Sequence, residues 1–486
     1  MPSNAGQDGE AAAVLNRVLV ANRGEIARRV FRTCRELGMS TVAVYSDPDA
    51  GAPHVAEADA AVRLPGAAPA DTYLRADLLV GAAVRTGADA VHPGYGFLSE
   101  NAEFARLVLA AGLTWIGPPP EAIDAMGSKI RAKRLLAGAG VPVLPELNPE
   151  SLTAADLPVL IKASAGGGGR GMRIVRALSD LPSALAAARS EAASAFGDPA
   201  VFCEPYLAAG RHIEVQILAD GHGTVWAVGE RECSIQRRYQ KIIEEAPSPL
   251  VQRLPKLRER LFAAARGAAQ AAGYRNAGTV EFLADETGRF YFLEMNTRLQ
   301  VEHPVTECTT GLDLVALQLD IAAGRPLPAP EPPPPTGHAI EARLYAEDPA
   351  AGWQPQSGTL WRIELPGRPV HFRVPSGRRA ACVPAIRLDS GVVAGSSIGA
   401  HYDPMLAKVI SWAPDRERAA AVLSAALAEA KIHGLVTNRN LLVRVLRHPV
   451  FLAGQTDTAF LDTHGVAALA APLATDETVT LSALAA

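Results

Sequence analysis

Four consecutive glycines separate two strand-like runs and restrict what this part of the chain can form. The run at 157–164 precedes the tract, which contains Gly167, Gly168 and Gly169, and the run at 172–176 follows it. Residues 166–171 satisfy the Gly-x-Gly-x-x-Gly spacing of a dinucleotide-binding turn, but that turn opens a helix. Because a strand follows here, the sequence predicts a glycine-rich hairpin and not a dinucleotide site.

Such a hairpin tip can close over the phosphates of a nucleotide, because no side chains block its backbone N–H groups. Lys162, on the incoming strand, can add a positive charge. An isolated glycine tract more often forms only a mobile surface loop. The lysine beside four glycines favours phosphate binding.

A second hairpin is predicted at 279–303, where two strand-like runs flank the turn AspGluThrGly at 285–288. Antiparallel pairing puts Glu281 nearly opposite Glu294, and cross-strand neighbours lie about 5 Å apart at Cβ. Magnesium would relieve the repulsion of two carboxylates, and Asn296 and Arg298 share the Glu294 face. An exposed hairpin with surface salt bridges is the plainer alternative.

Charged residues also crowd two segments between these hairpins. In 211–219, His212 and the polar residues that follow alternate with apolar ones, which is typical of a half-exposed strand. The run 230–245 mixes arginine, lysine and glutamate, and taken alone it indicates a solvated surface.

The 486 residues exceed what one core usually supports, so several domains are expected. A short strand at 17–21, a helix at 24–37 and further strands indicate an α/β layer over 14–120. Residues 121–335 hold both hairpins and end in a proline-rich linker. A β-rich region follows at 336–465, and 466–486 read as a weakly structured tail.

Composition excludes several classes of function. A net charge of -4 disfavours nucleic-acid partners. No apolar stretch is long enough to span a membrane and no secretory signal precedes residue 14, so we expect a cytoplasmic protein. Neither zinc binding nor a disulfide framework is indicated by the five scattered cysteines, Cys34, Cys203, Cys233, Cys308 and Cys382.

Six blocks of sequence, in order, resemble the biotin carboxylases. These blocks are AlaAsnArgGlyGluIleAlaArgArg at 21–29, HisProGlyTyrGlyPheLeuSerGluAsn at 92–101, LysAlaSerAlaGlyGlyGlyGlyArgGlyMetArg at 162–173, ArgGluCysSerIleGlnArgArg at 231–238, GluMetAsnThrArgLeuGlnValGluHisProValThrGlu at 294–307 and GluAlaArgLeuTyrAlaGluAspPro at 341–349. The resemblance covers about 14–464. It implies an α/β and α+β fold: a Rossmann-like pre-ATP-grasp domain, an ATP-grasp domain with a mobile lid at about 141–205, and a C-terminal domain of β-barrel character.

The resemblance also implies roles for individual residues. The ATP contacts would be Lys129, Lys162, Gly167, Gly168, Gly169, Met172, Glu204, Leu207, His212 and Gln236. Magnesium or manganese would bind Glu281, Glu294 and Asn296. The bicarbonate pocket would comprise Lys241, Arg298, Gln300, the backbone at Val301, and Glu302. In this pocket Glu302 would be the general base, and Arg343 would stabilise the biotin enolate.

The activity implied is carboxylation of biotin by ATP and bicarbonate through carboxyphosphate, the first half-reaction of an acyl-CoA carboxylase. The sequence has no AlaMetLysMet site, so we expect biotin to arrive on a carrier protein or domain and not to be attached here. A carboxyltransferase subunit and a homodimer or larger complex are the partners expected. The final acyl-CoA acceptor is not encoded.

Two positions depart from the family pattern. Pro205 stands where a basic residue is expected and Tyr239 where histidine is common, so we expect altered ATP affinity and intact chemistry. The rival functions are another ATP-grasp ligase, such as one that carboxylates urea, and a non-catalytic scaffold subunit. The intact lysines and glutamates argue against a scaffold.

Overall fold

A computed structural model describes residues 13–164, 172–207, 210–237, 240–367, 369–373 and 384–474. The predicted sites Gly167, Gly168, Gly169 and Tyr239 lie outside these ranges. Among the described residues, no helix combines the length and apolar character needed to cross a membrane.

The first elements form an α/β layer. They are β1 (Arg17–Val20), α1 (Gly24–Glu36), β2 (Ser40–Tyr45), α2 (Pro53–Glu57), β3 (Ala60–Arg63), α3 (Ala76–Thr86), β4 (Ala90–His92), α4 (Ala102–Ala110) and β5 (Thr114–Trp115). The strands pair in parallel in the order β3-β2-β1-β4-β5. This strand order and the helical crossovers confirm the predicted Rossmann-like start.

The middle of the chain holds the two predicted hairpins. Its elements are α5 (Pro120–Gly127), α6 (Lys129–Gly138), β6 (Val159–Ala163), β7 (Arg173–Val175), α7 (Leu181–Phe196), β8 (Val201–Pro205), β9 (Arg211–Ala219), β10 (Val225–Arg237), β11 (Gln240–Ala246), α8 (Pro249–Arg253), α9 (Pro255–Ala271), β12 (Asn276–Ala284), β13 (Phe290–Asn296), α10 (His303–Thr310) and α11 (Leu314–Ala322). Strands β6 and β7 are antiparallel, as the glycine-rich hairpin requires, and β8 pairs with the other edge of β6.

The last region contributes strands to the same large sheet. Its elements are β14 (His338–Tyr345), β15 (Glu347–Asp348), β16 (Gln354–Pro355), β17 (Gly358–Leu360), β18 (Arg362–Glu364), β19 (Val370–His371), β20 (Ala385–Ser390), β21 (Ser396–Ile398), β22 (Met405–Ala413), α12 (Arg416–Glu429), β23 (Lys431–His433), α13 (Arg439–Leu446), α14 (Pro449–Leu452), α15 (Phe460–His464) and α16 (Val466–Ala470). The sheet runs β13-β12-β9-β10-β11-β14-β22-β20-β19, so β11 joins the middle and last regions by pairing with β14.

Two predictions of exposure are wrong. Every residue of β9 is buried, because β10 and β12 pair with its two edges and its apolar face packs against α9. The described part of the charged run 230–245 is also largely buried. Its charges are tolerated there because carboxylates and cations from distant parts of the chain meet as pairs.

The prediction of a weakly structured end is wrong for its first residues. Residues 466–470 form α16, and Leu469 and Ala470 pack into the core beside α13. The Arg444 side chain donates hydrogen bonds to the carbonyls of Ala471 and Pro472, which fixes the chain just after the helix. Apolar burial and backbone capping together order a segment that looked featureless in sequence.

Candidate active site

A cavity of about 720 Å³ lies between the glycine-rich hairpin and the large sheet. Part of its lining is apolar and includes Leu144, Leu160, Met172, Leu283 and Leu293. The rest is mostly polar or charged. All the predicted site residues in the described ranges line the cavity: Lys129, Lys162, Met172, Glu204, Leu207, His212, Gln236, Lys241, Glu281, Glu294, Asn296, Arg298, Gln300, Val301, Glu302 and Arg343.

Glu302 lies directly before α10 and is hydrogen-bonded to two of the charged residues that line the cavity. Its Oε1 accepts a hydrogen bond of 2.6 Å from Lys241, and its Oε2 accepts one of 2.9 Å from Arg343. Burial alone would raise the pKa of Glu302, but Lys241, Arg343 and Arg231 more than offset burial and lower that pKa well below its usual range. Glu302 is therefore a buried, ionised carboxylate that is hydrogen-bonded to two cations, Lys241 and Arg343.

Lys241 connects Glu302 with two further carboxylates. Its Nζ donates to Glu214 at 2.6 Å and to Glu281 at 2.8 Å. Burial disfavours the ammonium ion, yet Glu214, Glu281 and Glu302 raise the pKa of Lys241 well above its usual value. The cluster keeps Lys241 charged in a position that the solvent barely reaches.

The predicted pairing of Glu281 with Glu294 is confirmed, since the two residues are direct partners across β12 and β13. Glu281 is buried and accepts hydrogen bonds from Lys241, Asn296 and Gln300, while Nε2 of His212 lies 2.9 Å from its second oxygen. Glu294 is half-buried, and its Oε2 lies 3.1 Å from the Nζ of Lys129.

The chemistry of this pair fits a hard divalent cation. Two carboxylates on adjacent strands and the amide oxygen of Asn296 offer oxygen donors at the edge of the cavity, which is the ligand class of magnesium. Burial would raise the pKa of Glu281, but Lys241 and His212 outweigh it and hold that pKa far below the usual range. Glu281 is thus ionised before any metal binds.

Two lysines reach the hairpin side of the cavity. Lys162 on β6 contacts Oε1 of Glu204 on β8, and Lys133 on α6 donates to Oε2 of the same carboxylate at 2.8 Å. Ser128 caps α6, and the backbone N–H of Lys129 donates to the carbonyl of Ser164 at 2.9 Å. The start of α6 is thereby tied to the end of β6, which brings Lys129 and Lys162 to one side of the site.

Arg298 and Gln300 follow β13 and turn towards the same cluster. The Arg298 guanidinium contacts the side-chain oxygen of Gln300 and donates to Asn296 at 3.0 Å and to Glu100 at 2.9 Å. Gln300 donates to Glu281 at 2.9 Å. A guanidinium, an amide and an ammonium therefore converge beside the Glu302 carboxylate.

Sequence reasoning gave no role to several residues that shape the site. Arg231 is fully buried and donates to Glu214 at 2.5 Å, and Glu244 accepts from Arg343 at 2.5 Å. Glu100 accepts a hydrogen bond from Arg298, and Lys133 donates one to Glu204. Arg231 and Glu100 lie inside blocks that carry the family resemblance, which was the available signal, whereas Lys133 and Glu244 had none.

The comparisons with known proteins agree with this geometry. Three family models match: "Biotin carboxylase, N-terminal domain" over residues 14–123, "Carbamoyl-phosphate synthase L chain, ATP binding domain" over 129–330, and "Biotin carboxylase C-terminal domain" over 341–463. A biotin carboxylase from Halalkalibacterium halodurans is 47% identical over 461 residues, which cover 93% of this chain and 98% of that protein. The chain belongs to the biotin carboxylase family.

Other relatives of the family are longer. The mitochondrial methylcrotonoyl-CoA carboxylase subunit alpha of Oryza sativa subsp. japonica is 50% identical over 461 residues, covering 92% of this chain. The chain spans 60% of the length of that relative.

Solved structures of the family share the fold. The biotin carboxylase domain dimer of Hydrogenobacter thermophilus 2-oxoglutarate carboxylase, in complex with MgADP, ADP and bicarbonate, has a TM-score of 0.87 and 42% identity, covering 95% of this chain and 99% of that one. A Campylobacter jejuni biotin carboxylase complex with β,γ-ATP has a TM-score of 0.85 and 41% identity, covering 93% and 99%.

Proposed function

We propose that the chain is a biotin carboxylase that uses ATP and bicarbonate to carboxylate biotin on a carrier protein. The observation that carries this proposal is Glu302 held between Lys241 and Arg343, in the cavity that the Glu281 and Glu294 pair also lines. One cavity thus offers a buried base, a set of cations and an oxygen-rich metal site.

The nucleotide would lie along the hairpin side of the cavity. Lys129 and Lys162 would bind phosphate oxygens, and Met172 and Leu207 would line the base, with Glu204, His212 and Gln236 as further contacts. Glu204 is at present neutralised by Lys133 and Lys162, so an incoming phosphate would compete with this carboxylate for Lys162. The predicted phosphate contacts of Gly167, Gly168 and Gly169 remain a prediction.

Magnesium or manganese would be held by Glu281, Glu294 and Asn296, and it would neutralise phosphate charge when bound. Lys241, Arg298, Gln300 and the backbone at Val301 would position bicarbonate against Glu302. Bicarbonate would accept hydrogen bonds from the Lys241 ammonium, which now donates to Glu214, Glu281 and Glu302. The pKa of Glu302 would then rise from its present depressed value, so that it becomes a better base as substrate binds.

The reaction would then proceed in two steps. Glu302 removes the bicarbonate proton as a bicarbonate oxygen attacks the γ-phosphorus, which releases ADP and forms carboxyphosphate. Carboxyphosphate breaks down to CO2 and phosphate, and the phosphate takes the proton from the ureido nitrogen of biotin. Arg343 would stabilise the resulting enolate, whose nitrogen attacks CO2.

The first test is ATP hydrolysis with magnesium and bicarbonate, with and without free biotin, for the native chain and for Glu302→Gln. We expect hydrolysis that depends on bicarbonate, rises with biotin, and falls by about 100-fold in Glu302→Gln, since general-base catalysis typically contributes 10²- to 10⁴-fold. The matched control, Glu103→Gln on the exposed face of α4, should keep the native rate.

The opposite outcomes identify the rivals. Hydrolysis indifferent to bicarbonate and biotin would indicate another ATP-grasp ligase. Magnesium-dependent ATP binding without turnover would indicate a scaffold subunit.

A carrier protein or domain that bears biotin, a carboxyltransferase and a homodimeric or larger assembly are proposed as partners, and the cytoplasm as the location. The similarity to methylcrotonoyl-CoA carboxylase alpha subunits supports the acyl-CoA carboxylase context, although the plant subunits are mitochondrial. Co-purification with a biotinylated protein would test the carrier.

We also propose that the chain is divided into three domains, at 14–120, 121–335 and 336–465, and that the second domain has a lid at about 141–205. The ranges of the three family models support the three domains.

A further inference from the structure

Lys408 is a buried lysine that lies behind the proposed bicarbonate pocket and belongs to a different part of the chain. It lies on β22, is 0% exposed, and donates a hydrogen bond of 2.9 Å to the carbonyl oxygen of Val301. Its Nζ is also 3.0 Å from Glu25 on α1 and 3.9 Å from Asp389 on β20. One ammonium group therefore joins the first, middle and last regions of the chain.

The charges around Lys408 keep it in the cationic form. Burial opposes that charge, but Glu25, Glu341 and Asp389 outweigh burial and raise the pKa of Lys408 above its usual value. Asp389 is itself held by two hydrogen bonds of 2.8 and 2.7 Å from Arg387. The ammonium is consequently a fixed and permanently charged donor to Val301.

The bond from Lys408 acts on the peptide that leads into Glu302. The carbonyl of Val301 and the backbone N–H of Glu302 belong to one planar unit, so holding the oxygen also fixes the direction of the N–H. Residues 298–302 carry the predicted bicarbonate contacts, but within 297–302 the structure has neither helix nor strand to hold this backbone. An external cation is thus one of the constraints on the loop.

We infer that Lys408 is a positioning residue, which orients the Val301–Glu302 peptide and thereby sets the affinity for bicarbonate. The inference rests on the proposed function, because it assigns bicarbonate to this loop. Lys408 touches neither Lys241 nor the Glu281 and Glu294 pair in any described contact, so ATP and magnesium binding should not depend on it.

The test compares Lys408→Met and Lys408→Arg in bicarbonate-dependent ATP hydrolysis. In Lys408→Met we expect the KM for bicarbonate to rise by about tenfold, because a charge-assisted hydrogen bond is lost, while the KM for ATP stays within about twofold. Lys408→Arg keeps a cationic donor and should recover part of the affinity. Arg416→Met, which removes a partly buried cation from Glu245, is the matched control and should leave the KM for bicarbonate unchanged, since the described hydrogen bonds of Arg416 go to Glu245 and Leu452 and not to this loop.

Lys408→Met leaves Glu25 without its cation and can prevent folding, so Glu25→Gln/Lys408→Met, which removes both charges, takes its place if the single variant does not fold. A folded variant with native ATP affinity and an unchanged KM for bicarbonate would overturn the inference. If the native chain shows no bicarbonate dependence at all, the proposed function fails instead. The two failures are therefore distinguishable.

Discussion

Replacing Lys241 by methionine is the perturbation to which the site should respond most. The ammonium makes three contacts of 2.6 to 2.8 Å to the carboxylates of Glu214, Glu281 and Glu302, all of them buried. Removing one partner of a buried ion pair costs about 3–5 kcal/mol, because the remaining charge is left uncompensated. Since three carboxylates share this lysine, we expect a loss at the upper end of that range.

The loss should shrink as the pH falls. Without Lys241 the three carboxylates repel one another, so their folded pKa values rise above those of the unfolded chain. Groups with raised folded pKa values bind protons preferentially in the folded state, and this adds stability as the pH falls. The deficit of Lys241→Met relative to the native chain should therefore be smaller at pH 5.5 than at pH 8.

The assay is urea unfolding followed by intrinsic fluorescence at both pH values. The matched control is Lys256→Met, at an exposed lysine on α9, which should change the free energy of unfolding by about 0.5 kcal/mol or less at either pH. A Lys241→Met deficit below about 1 kcal/mol, or one equal at the two pH values, would refute the reasoning.

Three further outcomes are expected. Pro205→Lys, at the apolar lining of the cavity, should change the KM for ATP and leave that for bicarbonate within about twofold, which initial rates at varied substrate would show. Arg343→Met should reduce biotin carboxylation at least about tenfold more than ATP hydrolysis, because it removes the cation proposed for the enolate as well as one partner of Glu302; equal losses would contradict this. Burial would raise the pKa of Glu245, but Arg416 and His338 outweigh burial and lower that pKa to about 2. The Glu245 carboxylate therefore stabilises the folded state above about pH 4.5, and this contribution is lost as the pH falls towards 2. Unfolding measured between pH 6 and 3 should be less pH-dependent in Glu245→Gln, by roughly 2 kcal/mol at most.

Local pattern was enough to predict the hairpins and the pairing of Glu281 with Glu294. The turn at 285–288 brought Glu281 and Glu294 to within one residue of each other in register, since a short turn leaves little freedom in the pairing of its strands. A bulge between Glu281 and Phe282 then shifts the register by one residue and makes the two glutamates direct partners. The family resemblance supplied the remaining site residues, and those within the described ranges line one cavity.

The burial of charged side chains could not be predicted from the sequence. Arg231 and Lys241 lie in a run that reads as solvated, yet their partners Glu214 and Glu302 come from segments well separated in sequence. The pattern of residues within 230–245 cannot predict ion-pair partners that lie outside this segment and come close only in the folded chain. The same limit applies to α16, whose burial depends on α13.

The pairing of β11 with β14 has a consequence for dissecting the molecule. Four backbone register pairs, Ile243 with Ala342 through Ala246 with Ala339, cross from the middle region to the last. A fragment that ends at the proline-rich linker would expose the free edge of β11 and would lack Arg343 and Lys408. Open strand edges recruit other strands, so such a fragment should self-associate and lack activity, although its own sequence contains the proposed base and the proposed metal ligands.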